Sequence, residues 1–210
     1  MDTVEFYIIR HGETMLNKLG KAQGWVDSPL TINGVSTARN LSKNLLPLNF
    51  SAVYCSDLPR ARKTAEIFAA DRLPIFPDSR LREWCLGIFE AEKNKTFIQG
   101  LRDNSPVLQP LKNIDSRLDE VTNLVQRLDT TGFAESFEDI CRRLQDFLHT
   151  IGDEQLQSGG GRIAVVTHAF IMKTFLYLYA YDKLLENIKI GHENLEIIVY
   201  DGQNFSLEFH

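Results

Sequence analysis

The stretch Val4-Glu5-Phe6-Tyr7-Ile8-Ile9-Arg10-His11-Gly12-Glu13 runs from a nearly unbroken apolar segment straight into an arginine, a histidine and a glycine. A short apolar run of this kind predicts a strand covered on both faces, so Phe6 to Ile9 is expected at the centre of a sheet. A guanidinium and an imidazole then stand side by side where the strand opens into a loop. That arrangement suits holding and attacking a phosphoryl group. Gly12 keeps side-chain bulk out of the turn.

Working outward, Thr31 can cap a helix running to about Leu46, where Pro47 stops it; Val35, Ala38, Leu41, Leu45 and Leu46 form its apolar stripe. Ala52 to Cys55 reads as a second strand feeding a helix from Ala61 to Ala70, with Pro59 suited to the loop or first turn. Leu73 to Phe76 predicts a short strand near an edge, because Pro74 and Pro77 flank its end. Residues 84–109 show little periodicity and are expected to form an insertion or lid. Helical patterns return at Ile114 to Leu128 and at Phe137 to Ile151, the second capped by Ser136. Gly159-Gly160-Gly161 marks a loop before the strand Ile163 to Thr167, and a helix from Phe170 to Tyr179 follows. Leu195 to Tyr200 and Phe205 to Phe209 flank Asp201-Gly202-Gln203-Asn204 as a hairpin. Strands and helices thus alternate until the final strand pair, which predicts a single-domain three-layer α/β/α sandwich over 1–210, its sheet mostly parallel with an antiparallel edge.

The bulk composition agrees. In 210 residues, 43% hydrophobic and 24% charged, the chain can bury one ordinary core, and a net charge of −5 disfavours a nucleic-acid partner. Cys55, Cys85 and Cys141 form no CxxC pair and read as free thiols packed as small hydrophobes. The first residues lack the pattern of a secretory signal, which predicts a cytoplasmic protein. The apolar run from Ala169 to Ala180 is too short for a hydrocarbon layer of about 30 Å, so it reads as a core helix and no membrane partner is expected.

In open α/β sheets ligands collect beyond the carboxyl ends of the strands. Arg10-His11, Ser56 to Arg60 and Thr167-His168 all fall at such ends, so residues far apart in sequence are expected to meet. The anionic oxygens of a phosphate monoester repel a nucleophile, so a site that attacks one needs fixed positive charge. Arg10 and Arg60 can supply it bidentately. His11 is the candidate nucleophile, one ring nitrogen attacking phosphorus while the other donates to a backbone carbonyl. His168 can donate to the transferring oxygens. Glu83 can protonate the departing alkoxide, given a carboxyl pKa raised by burial or by nearby negative charge.

Arg10-His11-Gly12-Glu13-Thr14 with Asn17, Gln23 to Thr31, and Ser56-Asp57-Leu58-Pro59-Arg60-Ala61 resemble successive blocks of the histidine phosphatase superfamily, phosphoglycerate mutase branch. Leu81-Arg82-Glu83, Glu135-Ser136 and Val166-Thr167-His168 continue the match along nearly the whole chain. The resemblance implies that His11 carries the phosphoryl group as a phosphohistidine and that Arg10, Arg60 and His168 form the phosphate pocket. It further implies that Glu83 is the proton donor and acceptor, that Asn17 contacts phosphate, and that the core reaction needs no metal or cofactor. This chain departs from the family by having Ala169 in place of glycine and Phe89-Glu90-Ala91 in place of Trp-Glu-Gly. Nor does its middle segment carry the extended basic and aromatic signature of the glycolytic mutases.

Taken singly, the same residues have structural readings. Arg10 and Asp57 read as an ion pair, Arg60 as a helix cap, His168 as an interior histidine and Glu83 as a surface carboxylate ahead of Trp84. Arg62 and Lys63 read as a solvated or carboxylate-paired helix face, Thr167 as a strand residue, and His149, His192 and His210 as structural or surface groups. Together, in this order, they favour a phosphatase acting on a small phosphorylated metabolite, with water taking the phosphoryl group from His11. A phosphomutase shares the first step and differs in keeping the intermediate enclosed and holding a second substrate anion. A non-catalytic phosphate-binding protein is the third reading, and it predicts loss of the nucleophile, an arginine or the carboxylate; all are present. A zinc hydrolase is disfavoured because the histidines lack metal-ligand spacing. Nothing in the pattern specifies an oligomer.

Overall fold

The computed structural model describes residues 3–186, 190–193 and 195–209. The apolar opening stretch forms β1 (Val4–Arg10), with β2 (Phe50–Ser56), β3 (Ile75–Asp78), β4 (Gly161–Thr167), β5 (Leu195–Tyr200) and β6 (Phe205–Phe209) completing one sheet of order β3-β2-β4-β1-β5-β6. The first four strands run parallel, while β5 and β6 add antiparallel to β1 and to each other. The expected three-layer sandwich with an antiparallel edge is therefore the observed one.

The near-continuous hydrophobicity of β1 has the predicted cause. Tyr7 and Ile9 pack with Ala61, Ala65 and Phe68 of α3 (Pro59–Ala69), and Leu41 and Leu45 of α2 (Ile32–Leu45) close over that cluster. Phe6 and Ile8 point to the other face, into a larger core built with α5 (Leu118–Leu128), α6 (Phe137–Gln157) and α7 (Ala169–Tyr179). Period-two alternation thus feeds both layers from one strand.

Local signals set the helix ends. Thr31 Oγ1 accepts the Gly34 amide and Ser136 Oγ accepts the Asp139 amide, as capping requires. Pro59 opens α3, which closes on Ala70 in the left-handed region. α6 extends past Ile151 to Gln157, and β3 lies at 75–78 rather than 73–76. Within 84–109 the chain forms α4 (Asn94–Asp103), whose inward Phe97 and Leu101 give it only a thin apolar stripe. α7 buries Ile171, Met172, Phe175 and Leu176 as a core helix, and no helix among the described residues is long and apolar enough to cross a membrane. Cys55, Cys85 and Cys141 are free thiols.

Candidate active site

Because β2, β4 and β1 are neighbours and parallel, their carboxyl ends deliver Arg60, His168 and His11 to one place. The His11 amide donates to Thr167 O at 2.8 Å, continuing the β1–β4 ladder one residue beyond the strands. Gly12 is required here, since a Cβ on it would stand 2.5 Å from Gly34 O at the start of α2. The Gly12 amide donates to Thr64 Oγ1 at 3.0 Å.

His11, Arg60 and His168 are each at most 3% exposed. His11 Nδ1 lies 2.8 Å from Gly12 O, so Nδ1 carries the hydrogen and Nε2 keeps its lone pair. Nε2 accepts a long bond, 3.3 Å, from Arg60 Nε. The other N–H groups of Arg60 go to Val26 O at 3.0 Å, Asp27 Oδ1 at 3.1 Å, Gly24 O at 2.6 Å and His168 Nδ1 at 3.0 Å. All five of its donors are thereby aimed by the protein. Since arginine only donates, His168 Nδ1 must accept and its Nε2 must carry the hydrogen; that Nε2 is buried and has no partner among the described residues. The two imidazoles stand 5.1 Å apart between ring centroids. Burial, reinforced by Arg60, holds both rings well below the usual histidine pKa, so both stay neutral.

Glu83 is buried, with Oε1 accepting the Trp84 amide and Oε2 the Phe170 amide, each at 3.1 Å. Burial pushes its carboxyl up to about 7, against the opposing pull of the Phe170 amide and Arg60. Arg10 donates to Ile190 O at 2.7 Å while its buried Nε has no partner among the described residues, and burial brings its guanidinium down to about 10. Arg10, His11, Asn17 and Glu83 line a cavity of about 600 Å³, and Arg60 and His168 contact His11. The Asn17 side chain accepts the Thr14 amide as part of a capping box on the one-turn helix α1 (Met15–Lys18), and its Nδ2 reaches Gln23 Oε1 at 3.3 Å.

Several supports carry no motif of their own. Thr64, one turn after Arg60, also donates to Arg60 O at 2.8 Å and so couples α3 to the Gly12 turn. Glu90 accepts the amides of Gly24, Trp25, Val26 and Leu86, fixing the loop that grips Arg60. Glu135 pairs with Arg143 at 2.8 Å, and Arg143 donates to Arg80 O and Glu83 O, holding the backbone on either side of Arg82. His192 lies over His11, its Nδ1 2.6 Å from His11 O, and nothing but its residue type marks it in the sequence. His149 packs on Tyr200 and Phe205, and His210 lies outside the described residues. The Arg10–Asp57 ion pair does not form: Asp57 pairs with Arg82 at 2.6 Å, because Arg10 faces the cavity from β1. Thr167 Oγ1 donates to Leu81 O, a structural bond. Lys63 pairs with Glu66 on an exposed helix face. Among the described residues no group of three His, Cys, Asp or Glu side chains is arranged to hold a metal ion.

Comparison with known proteins gives the chain a family and a fold likeness. The family model described as histidine phosphatase superfamily (branch 1) matches residues 6–210. The crystal structure of phosphoglycerate mutase from Bacillus anthracis str. Sterne superposes with a TM-score of 0.89 at 31% identity, covering 100% of this chain and 93% of that one. YhfR of Bacillus stearothermophilus superposes with a TM-score of 0.77 at 29% identity, over 99% of this chain and 96% of that one. The probable phosphoglycerate mutase GpmB of Escherichia coli O1:K1 / APEC is 42% identical over 89 residues, 42% of this chain and 41% of that protein. Alignment thus spans about two-fifths of the length of such curated relatives. The chain belongs to the histidine phosphatase superfamily, branch 1.

Proposed function

We propose that the protein hydrolyses the phosphate monoester of a small metabolite through a phosphohistidine at His11. The observation that carries this reading is the tautomer of His11, a neutral buried imidazole whose Nδ1–H is held by Gly12 O while Nε2 faces Arg60. In the first step Nε2 attacks phosphorus, the bond from phosphorus to the ester oxygen breaks, and Glu83 gives its proton to the departing alkoxide. In the second, water attacks the phosphohistidine and Glu83 takes the water's proton back, releasing phosphate and restoring both residues. A carboxyl brought up to about 7 suits both directions of that transfer. Arg10, Arg60 and the Nε2–H of His168 neutralise the oxygens of the transferring group, and Asn17 contacts them from the cavity wall. The segment 84–109, which contains α4, acts as the cavity's lid.

Phosphomutase activity is the second reading, favoured by the likeness to the phosphoglycerate mutase of Bacillus anthracis and the probable phosphoglycerate mutase of Escherichia coli. It shares the first step. A cavity of about 600 Å³ favours hydrolysis, because a three-carbon intermediate would share that space with water. Incubating the enzyme with a panel of sugar phosphates and phosphoglycerates, with chelator present, tests the choice. Hydrolysis predicts inorganic phosphate from the preferred substrate; isomer formed without phosphate release overturns it in favour of the mutase.

A further inference from the structure

Gly12 sets a problem that the phosphate pocket does not solve. No side chain fits there, so the most permissive residue type decides where Gly12 O sits, and Gly12 O decides which nitrogen of His11 is free to attack. A peptide unit is planar, so its orientation is fixed once both of its polar groups are held. In the unit joining His11 to Gly12, the Gly12 amide donates to Thr64 Oγ1 at 3.0 Å and the His11 carbonyl lies 2.6 Å from His192 Nδ1. The unit before it is held through the His11 amide, which donates to Thr167 O at 2.8 Å.

The chemistry of His192 suits that grip. A carbonyl only accepts, so Nδ1 of His192 carries the hydrogen and Nε2 the lone pair. Burial, joined by the charge of Arg10, brings the ring down to about 4, against the opposing pull of its bond to His11 O and of Glu13. Near pH 7 the ring is neutral, and it holds the carbonyl without setting a further positive charge beside the nucleophile. The segment that carries it is anchored as well. Ile190 is buried in the larger core, and its carbonyl accepts Arg10 Nη1 at 2.7 Å. Ile190 and His192 thus hold the Arg10 guanidinium and the His11 main chain together, with the His11 and His192 rings 5.8 Å apart between centroids.

We propose that His192 is a positioning residue for the reaction, holding the peptide after His11 so that Gly12 O stays on His11 Nδ1 and Nε2 remains the attacking nitrogen. Without that bond the carbonyl edge is free, Gly12 turns about its own φ and ψ, and the His11 ring exchanges between tautomers. Only one of the two leaves a lone pair on Nε2. The proposal rests on the phosphohistidine reading of the same site, and its first readout needs no turnover.

NMR of protein carrying isotope-labelled histidine, with the His11 ring signals assigned by their loss in His11→Ala, reads the tautomer directly. The wild type is expected to show a protonated Nδ1 and a bare Nε2. In His192→Leu, which fills the space without a donor, both nitrogens should move towards tautomer-averaged values. Its kcat on para-nitrophenyl phosphate should fall about tenfold at little-changed KM. The amide nitrogen of asparagine is bonded to Cγ, as Nδ1 of histidine is, whereas that of glutamine stands one bond further out. His192→Asn should therefore restore both readouts, and His192→Gln should not. A merely structural contact would lower Tm in all these variants and leave the His11 tautomer in place. The other tautomer in the wild type, an unmoved tautomer in His192→Leu, or equal behaviour of the asparagine and glutamine variants overturns the proposal. If the leucine variant does not fold, the last comparison still decides. Wild-type turnover is read separately, so failure of hydrolysis beside the expected tautomer response counts against the phosphate-ester reading and not against the positioning of His11.

Discussion

Replacing Glu83 by glutamine separates the buried acid's effect on stability from its effect on chemistry. The carboxyl titrates at about 7 in the folded protein against an ordinary 4.5. Below 4.5 it is protonated in both folded and unfolded chains and contributes no pH dependence. Between 4.5 and about 7 the unfolded chain has lost the proton while the folded one keeps it, so stability falls as pH rises, levelling off above 7. At about 1.4 kcal/mol per pH unit, that window amounts to roughly 3 kcal/mol. The Glu83→Gln variant has no such titration. It also faces the Trp84 and Phe170 amides with only one accepting oxygen, a constant loss of about 1 to 3 kcal/mol. Urea unfolding across this pH range should therefore give a wild-type curve that declines and a flat variant curve, lower at acidic pH and meeting or crossing the wild type's towards pH 7. In single-turnover experiments the variant should phosphorylate from alkyl phosphates about 10² to 10⁴ times more slowly, with little effect on para-nitrophenyl phosphate, whose leaving group departs unaided. Parallel stability curves for the two proteins, or equal slowing on both substrates, would refute the assignment of a buried, proton-donating Glu83. Glu90 would not be the substitute, since its oxygens are taken up by four loop amides.

Arg60→Lys should lower kcat/KM by about tenfold or more, because lysine cannot reproduce the fork that reaches Gly24 O, Val26 O, Asp27, His11 and His168 together; steady-state kinetics equal to wild type would contradict the role. Ala91 holds a φ of +62°, so Ala91→Gly should stabilise by about 1 kcal/mol with activity retained, read as a rise in Tm. Gly34→Ala would place a Cβ 2.2 Å from Glu13 O, forcing the His11 turn away from α2; a loss of about 1 to 3 kcal/mol in urea unfolding and a fall in kcat are expected.

The legible parts of the fold were those where one residue type has one physical use. The apolar run before Arg10, the caps at Thr31 and Ser136 and the proline at 59 each led to the element found, and strand ends predicted that His11, Arg60 and His168 would converge. α4 was not legible, because a helix that lines a cavity has polar residues where a core helix would be apolar, and only Phe97 and Leu101 are deeply buried. The supporting bonds were hidden for a different reason. Glu90 is 64 to 66 residues from the Gly24, Trp25 and Val26 amides it binds, and Thr64 acts through a hydroxyl that any helix face can carry. The departure at Ala91 is now physical: the position takes a left-handed backbone, which is where glycine serves best.

The central claim is that His11 Nε2 carries the phosphoryl group. Rapid quenching of the enzyme with its best phosphate ester, followed by mass-spectrometric location of the phosphoryl label under conditions that preserve phosphohistidine, tests it directly. The account predicts a single label on His11, absent in a folded His11→Ala variant that has lost turnover. A label on Ser56 or another side chain with His11 unmodified, or undiminished turnover in His11→Ala, would contradict it.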